Sequence, residues 1–185
     1  MLKRAFDICC SLLALIILSP VLLLTALAIV LDSRGGALFL QRRVGRGGRV
    51  FDIYKFRTMV PDAEHKGPLL AVRDDPRVTR VGKFLRRWSM DELPQLVNIL
   101  KGDMSVVGPR PELPPIVATY TPFQRRALDA RPGLTGLPQV MGRDDLAIET
   151  KLRLDVYYVG HRSFCLDLWL IMKTAVEVLT GRGAF

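Results

Sequence analysis

Three cysteines occur in the 185 residues, and none of Cys9, Cys10 and Cys165 stands in a C-x-x-C or Cys/His grouping with metal-ligand spacing. Two of them lie inside an apolar run. That usage excludes a disulfide framework, offers no zinc site and reads as a reducing compartment. No G-x-G-x-x-G, Walker A or G-x-S-x-G pattern appears, so nucleotide use through those folds has no support. Internal repeats and low-complexity tracts are absent as well. Acidic residues are in deficit, with 18 Asp and Glu against 27 Lys and Arg. The formal net charge of +9 points to anionic partners: phosphates, nucleic acid or acidic lipid headgroups. The length predicts one domain with a small appendage.

What is present begins with a run from Ile8 to Leu31 that carries no charge. At about 1.5 Å per residue such a helix reaches across a hydrocarbon layer of about 30 Å. A cleaved signal peptide would account for Lys3, Arg4 and the Ala26-Leu27-Ala28 match. The run is too long for that, and it continues through Ile29, Val30 and Leu31. Ser19-Pro20 falls in the middle. Proline lacks an amide N–H and clashes with the carbonyl four residues earlier, so a kink is expected there. The Ser19 hydroxyl can take up a freed carbonyl. Lys3 and Arg4 precede the run, and Arg34, Arg42, Arg43, Arg46 and Arg49 follow it. Positive flanks prefer the cytoplasmic side, and both flanks are positive. A segment that enters, bends at Ser19-Pro20 and returns satisfies both, so a re-entrant helix is expected rather than a spanning one.

Asp32 to Gly36 reads as the exit turn. Strands are predicted over Ala37–Gln41 and Val50–Phe56, joined by the basic turn Arg46-Gly47-Gly48-Arg49. Pro61 to Pro76 reads as a loop. Helices are predicted over Thr79–Trp88, Leu93–Leu100, Pro122–Ala130, Asp144–Tyr158 and Ser163–Leu179. The last places Phe164, Leu168, Ile171, Met172 and Ala175 near one face, as an interfacial helix or a helix packed on the core would.

Asp91 and Glu92 are the chemical candidates. Ser89-x-x-Glu92 also matches a capping box, which would make the pair a helix cap. Pro94 argues against that register, since it would fall past the first turn. A start near Asp91 puts it where no intrahelical partner is lost. The carboxylates would then lie at a positive helix end near Arg86 and Arg87, an environment that lowers a carboxylate pKa and attracts phosphate. One carboxylate can attack phosphorus while the other holds Mg²⁺. Spacing alone leaves cap and chemistry both open. Lys55 and Arg57 alternate with apolar residues and would share a strand face. Arg110 in the stiff Val107-Gly108-Pro109-Arg110-Pro111 turn, and Arg143 after Gly142, each present a guanidinium to a phosphate or base.

Over nearly its whole length the sequence resembles the bacterial sugar transferases, small monotopic phosphoglycosyl transferases. The resemblance rests on Lys3-Arg4-Ala5-Phe6-Asp7 with Ser19-Pro20, Gln41-Arg42-Arg43-Val44-Gly45, and Tyr54-Lys55-Phe56-Arg57-Thr58-Met59. Its most specific stretch runs from Ser89-Met90-Asp91-Glu92-Leu93-Pro94-Gln95-Leu96 through Asn98 and Lys101-Gly102-Asp103-Met104-Ser105 to Val107–Pro111. Arg131-Pro132-Gly133-Leu134-Thr135-Gly136, Gln139-Val140, Gly142-Arg143 and Leu166-Asp167-Leu168 complete it. The resemblance implies transfer of a sugar 1-phosphate from a UDP-sugar to polyprenyl (undecaprenyl) phosphate, giving polyprenyl diphosphate sugar and UMP. This is the initiating step of bacterial glycoconjugate assembly, and Mg²⁺ is required. Asp91 would form an aspartyl phosphosugar and Glu92 would hold the metal. Lys55, Arg57, Arg86, Arg110, Arg143 and Asp167 would line the substrate site, Arg110 at the nucleotide end.

The implied fold is α+β and mostly helical. A re-entrant membrane helix broken at Ser-Pro (1–33) precedes a small cytosolic catalytic domain (34–185) with short strands and interfacial helices. It would sit at the cytoplasmic face of the inner membrane, with membrane lipid as a partner, a homodimer allowed and nucleic acid not expected. Two departures stand out: Leu137-Pro138 occupies a place where relatives often carry tryptophan, and His161–Cys165 is poor in aromatics. The long multi-spanning part of larger relatives is missing, which leaves a small member and a trimmed catalytic domain both open. The competing class is a membrane-tethered nucleic-acid-binding module using Arg42, Arg43, Arg46 and Arg49 as a backbone clamp. It leaves Asp91-Glu92 unexplained.

Overall fold

Helix α1 runs from Leu2 to Asp32, 31 residues with Pro20 inside. The helix is mostly apolar, and by length and composition it is able to cross a membrane. The computed structural model describes residues 2–63, 66–68, 72, 74–142 and 146–180. Helical geometry continues through the expected break, so no gap opens at Ser19-Pro20. The proline's missing N–H is compensated: the Ser19 hydroxyl donates to the Ile16 carbonyl at 2.8 Å, the acceptor that Pro20 cannot serve.

One face of α1 is bound to the rest of the chain and the other is not. Asp7, Ser11, Thr25 and Ile29 are buried, whereas Leu13, Ile16, Ile17, Leu23, Leu24 and Leu31 are exposed. Asp7, Ser11 and Thr25 therefore face the protein, with Leu15 and Leu22 packed on its core, while most of the remaining leucines face outward. Both ends are anchored. Arg4 donates to the carbonyls of Ile99 and Leu100 at 2.6 and 3.1 Å. The Asp7 carboxylate accepts from the Ser105 hydroxyl and from the Val106 amide at 3.0 Å. At the far end, the Asp32 carboxylate accepts from the Val81 amide at 3.2 Å.

Strands β1 (Leu38–Val44) and β2 (Val50–Phe56) form an antiparallel hairpin with Leu38 opposite Phe56 and Val44 opposite Val50. The turn between them is the predicted basic one, a 3₁₀ turn at Arg46–Gly48 with Gly47 and Gly48 at positive φ. β1 extends three residues beyond the predicted end at Gln41 because Arg43 turns inward and is satisfied there. Its guanidinium donates to the Gln41 side chain and to the Pro111 carbonyl at 3.0 Å.

Helix α2 (Arg80–Arg87) starts where expected, with the Thr79 hydroxyl capping the Gly82 amide at 2.9 Å. Helix α3 (Gln95–Lys101) ends on Gly102 in the left-handed region, and Asn98 ties it to β2. The fully buried Asn98 side chain accepts from the Tyr54 amide at 2.9 Å and donates to the Asp52 carbonyl at 2.7 Å. These bonds complete the edge of the hairpin.

Strands β3 (Ser105–Val107) and β4 (Gly133–Thr135) pair in parallel, an arrangement the sequence reading did not foresee. The Gly108 amide donates to the Thr135 carbonyl and the Gly133 amide to the Pro109 carbonyl, at 2.9 and 2.8 Å. A side chain on Gly133 would put its Cβ 2.1 Å from the Gly108 nitrogen, so the two segments meet only because both are glycine. Helix α4 (Pro114–Ala118) packs on β1, and helices α5 (Pro122–Arg125, continued by a 3₁₀ turn to Asp129) and α6 (Leu137–Met141) follow in the chain. Helices α7 (Ile148–His161) and α8 (Phe164–Thr180) pack against the β3–β4 pair through Tyr158 and Leu170, on a core that includes Val107 and Leu137. The molecule is thus mostly helical, with a few short strands.

Candidate active site

The Asp91-Glu92 pair sits on a turn between α2 and α3. Ser89 adopts φ 54°, ψ 21°, in the left-handed region, and its side chain caps nothing, so the capping box does not form. Met90–Glu92 is a 3₁₀ turn and Pro94 is the N-cap of α3. Proline therefore stands at the helix entrance, as its missing N–H requires. Gly82 brings α2 against the chain ahead of it: a Cβ there would lie 2.0 Å from the Thr58 carbonyl oxygen. This close approach lets the Arg86 Nε donate to the Thr58 hydroxyl at 2.9 Å.

The two carboxylates are in different states. Glu92 Oε1 accepts from Lys55 Nζ at 2.8 Å and from Arg110 Nη2 at 3.2 Å. Burial alone would raise the Glu92 pKa, but those two cations and their hydrogen bonds outweigh it and hold the group well below the usual range. Asp91 makes no hydrogen bond or ion pair among the described residues. Burial, and then the neighbouring Glu92 charge, push it up to about 6, against the pull of Lys55, Arg86 and Arg110. One carboxylate is a fixed anion, and the other is an uncommitted group that is ionised near neutrality.

Lys55, Glu92 and Arg110 line a recess together with Arg43, Ile53, Gln95, Pro111 and Gly133. Of the residues predicted for substrate, Lys55 and Arg110 are brought onto Glu92, and Arg86 lies within electrostatic reach of Asp91. Arg57 is placed elsewhere. Its guanidinium donates to the carbonyls of Ser33, Arg34, Gly35 and Gly36 between 2.7 and 3.3 Å. It lies one residue past the end of β2 and closes the exit loop of α1. Asp167 is also committed to the fold: it is buried, binds Lys3, and accepts from the Tyr158 hydroxyl at 2.6 Å. Arg143, and the predicted helix start at Asp144, lie outside the described residues.

Three residues outside the predicted substrate set now belong to this neighbourhood, Arg43 having been read only as a flanking or clamp charge. Arg43 and Gln95 line the recess itself. The signal for Arg43 was the i, i+2 spacing from Gln41 in a strand. Asp155, from α7, is 4% exposed and accepts a hydrogen bond from the Arg110 backbone. Burial first, with Glu112 adding, pushes its pKa up to about 8.

Among the described residues no group of three or more His, Cys, Asp and Glu comes together, so an all-protein metal cage is absent there. Lys55 and Arg110 both bind Oε1 of Glu92, which leaves Oε2 and the Asp91 carboxylate as hard oxygen donors. Mg²⁺ is commonly held by one or two carboxylates with substrate phosphates completing its shell, and the pair fits that pattern.

Comparison with known proteins places this site in context. The family described as bacterial sugar transferase matches residues 1–181. A UDP-N-acetylgalactosamine-undecaprenyl-phosphate N-acetylgalactosaminephosphotransferase of Aeromonas hydrophila is 44% identical over 99% of this chain. An undecaprenyl-phosphate galactose phosphotransferase of Salmonella typhimurium is 42% identical over 100% of it. The chain spans 45% and 42% of the lengths of these two relatives. It spans 89% of a Bacillus subtilis protein named an uncharacterized sugar transferase, to which it is 42% identical.

Proposed function

The chain belongs to the bacterial sugar transferase family, and from that premise we propose that it moves a sugar 1-phosphate from a UDP-sugar to polyprenyl phosphate. The observation that carries the reading is the unequal pair: Asp91 uncommitted, beside a Glu92 fixed as an anion by Lys55 and Arg110. An Asp91 oxygen attacks the sugar-bearing phosphorus. The bond from that phosphorus to the bridging oxygen breaks, and UMP leaves with the oxygen. The product on the enzyme is an aspartyl phosphosugar. A phosphate oxygen of the polyprenyl phosphate then attacks the same phosphorus and Asp91 departs as a carboxylate. No net proton is required in either half. Lys55, Arg110 and Arg43 supply positive charge to the diphosphate, and Arg86 lies within electrostatic reach of Asp91. Glu92, with Asp91, would hold Mg²⁺, which supplies Lewis-acid neutralisation of phosphate charge.

The membrane arrangement belongs to the same proposal. Both ends of α1 are tied to the same protein body, Arg4 to α3 and Asp32 to α2. The charge pattern favours the same side for both ends, because Lys3 and Arg4 precede the apolar run and Arg34, Arg42 and Arg43 follow it. A re-entrant helix bent at Ser19-Pro20, with the domain on the cytoplasmic face, keeps both ties and buries the outward leucines in lipid.

The test is covalent trapping. Protein in detergent with Mg²⁺ and a panel of UDP-sugars labelled in the sugar is expected to retain label in the absence of lipid and to release UMP. Adding polyprenyl phosphate should discharge it. Asp91→Asn should retain no label and show no transfer; labelling of that variant at the wild-type level would sink the nucleophile assignment.

A further inference from the structure

Gln95 opens α3 four residues after Asp91 and is 2% exposed. Its side-chain nitrogen, Nε2, is buried and has no hydrogen-bond partner among the described residues. The side chain lines the recess shared by Arg43, Lys55, Glu92 and Arg110. A buried amide nitrogen is purely a donor, and leaving it unpaired costs free energy that the fold alone does not return. No acceptor among the described residues bonds it. Arg43, Lys55 and Arg110 are themselves donors, and Glu92 Oε1 is already occupied by two of them. The group that completes such a site is small, rich in acceptors and negatively charged: a phosphoryl group.

Resting on the function proposed above, we infer that Gln95 is a substrate-contacting residue whose Nε2 donates to a non-bridging oxygen of the sugar nucleotide's diphosphate. Being neutral, it adds direction where Lys55, Arg43 and Arg110 add charge. Its position at the first residue of α3 fixes it relative to the Asp91 turn. Gly133, on the same recess, contributes no side chain to compete for the space.

Stability and binding separate this role from a structural one. Gln95→Met keeps the length of the side chain and removes its donors. Gln95→Glu keeps the shape and replaces the donors with a charged acceptor. The full chain in bilayer discs is melted with and without UDP and with and without inorganic pyrophosphate, each with Mg²⁺, and transfer is followed by UMP release. Gln95→Met is expected to melt at or above the wild-type temperature and to lose the thermal shift given by both ligands. It should fall by about tenfold or more in kcat/KM, the scale of one lost hydrogen bond to a charged group. Gln95→Glu should fall further, because its carboxylate repels phosphate.

Wild-type kcat/KM in Gln95→Met overturns the inference, as does a loss explained entirely by a lower melting temperature. A wild type that is stabilised by pyrophosphate but transfers no sugar, with Gln95→Met not stabilised, supports the contact while the transferase reading falls. A wild type that neither turns over nor responds to either ligand overturns both.

Discussion

In the proposed mechanism Asp91 is the side chain whose protonation decides whether the site can act. Its carboxyl is raised from 3.8 to about 6 by burial and by Glu92, and only the ionised form can attack phosphorus. Transfer should therefore fall as pH drops through about 6, measured as initial UMP release between pH 5 and 8. The same shift has a stability sign. A folded-state pKa above the unfolded one means the native protein binds the proton more tightly, so stability falls as pH rises through the folded value. Asp91→Asn should therefore raise the melting temperature more at pH 8 than at pH 5, while abolishing transfer.

Asp155 carries the same sign with a value of about 8, so its stabilising contribution declines as pH rises and is gone once that pH is passed. Asp155→Asn keeps an acceptor for the Arg110 backbone and should flatten the loss of stability that accrues between the unfolded value of 3.8 and about 8, read in melts from pH 5 to 8.

At the scale of elements, the catalytic turn is held by two close approaches, Gly82 against Thr58 and Asn98 against β2. Gly82→Ala would bring a carbon to 2.0 Å from the Thr58 carbonyl oxygen. The expected loss is at least about 2 kcal/mol in denaturant unfolding, the scale of overpacking a tight contact. Activity should fall with it, because Arg86 moves with α2.

What could be read in the sequence followed from local chemistry. The hairpin, the Thr79 cap and the Ser19 bond to Ile16 each depend on residues a few positions apart, whereas the helix start expected near Asp91 falls at Gln95, after a separate 3₁₀ turn that carries both carboxylates. The β3–β4 pair was not legible: each strand is three residues long, and two glycines distant in the chain create the contact. Arg57 was misplaced for a related reason. Strand alternation put it beside Lys55, but the strand ends at Phe56 and four loop carbonyls take the guanidinium. Gln95 was visible in its motif, but only its burial and lack of a partner give it a task.

For the whole molecule, the outward leucines of α1 and the recess belong to one body, so the depth of the helix in lipid sets the height of the chemistry. In the re-entrant arrangement proposed above, single cysteines placed at residues 2 and 33 of an otherwise cysteine-free chain should be labelled by an impermeant reagent from the cytoplasmic side only. Residue 2 labelled from the opposite side would show a spanning helix and remove the re-entrant arrangement.

The anchors of α1 also bear on the order in which the protein is made. Asp7 is completed by Ser105 and Val106, and Lys3 by Asp167. The first helix of the described chain thus leaves the ribosome long before its partners do. Of these ties the one between Lys3 and Asp167 spans 164 positions, so it closes the longest loop in the anchoring of α1 and depends on nearly the whole chain being present.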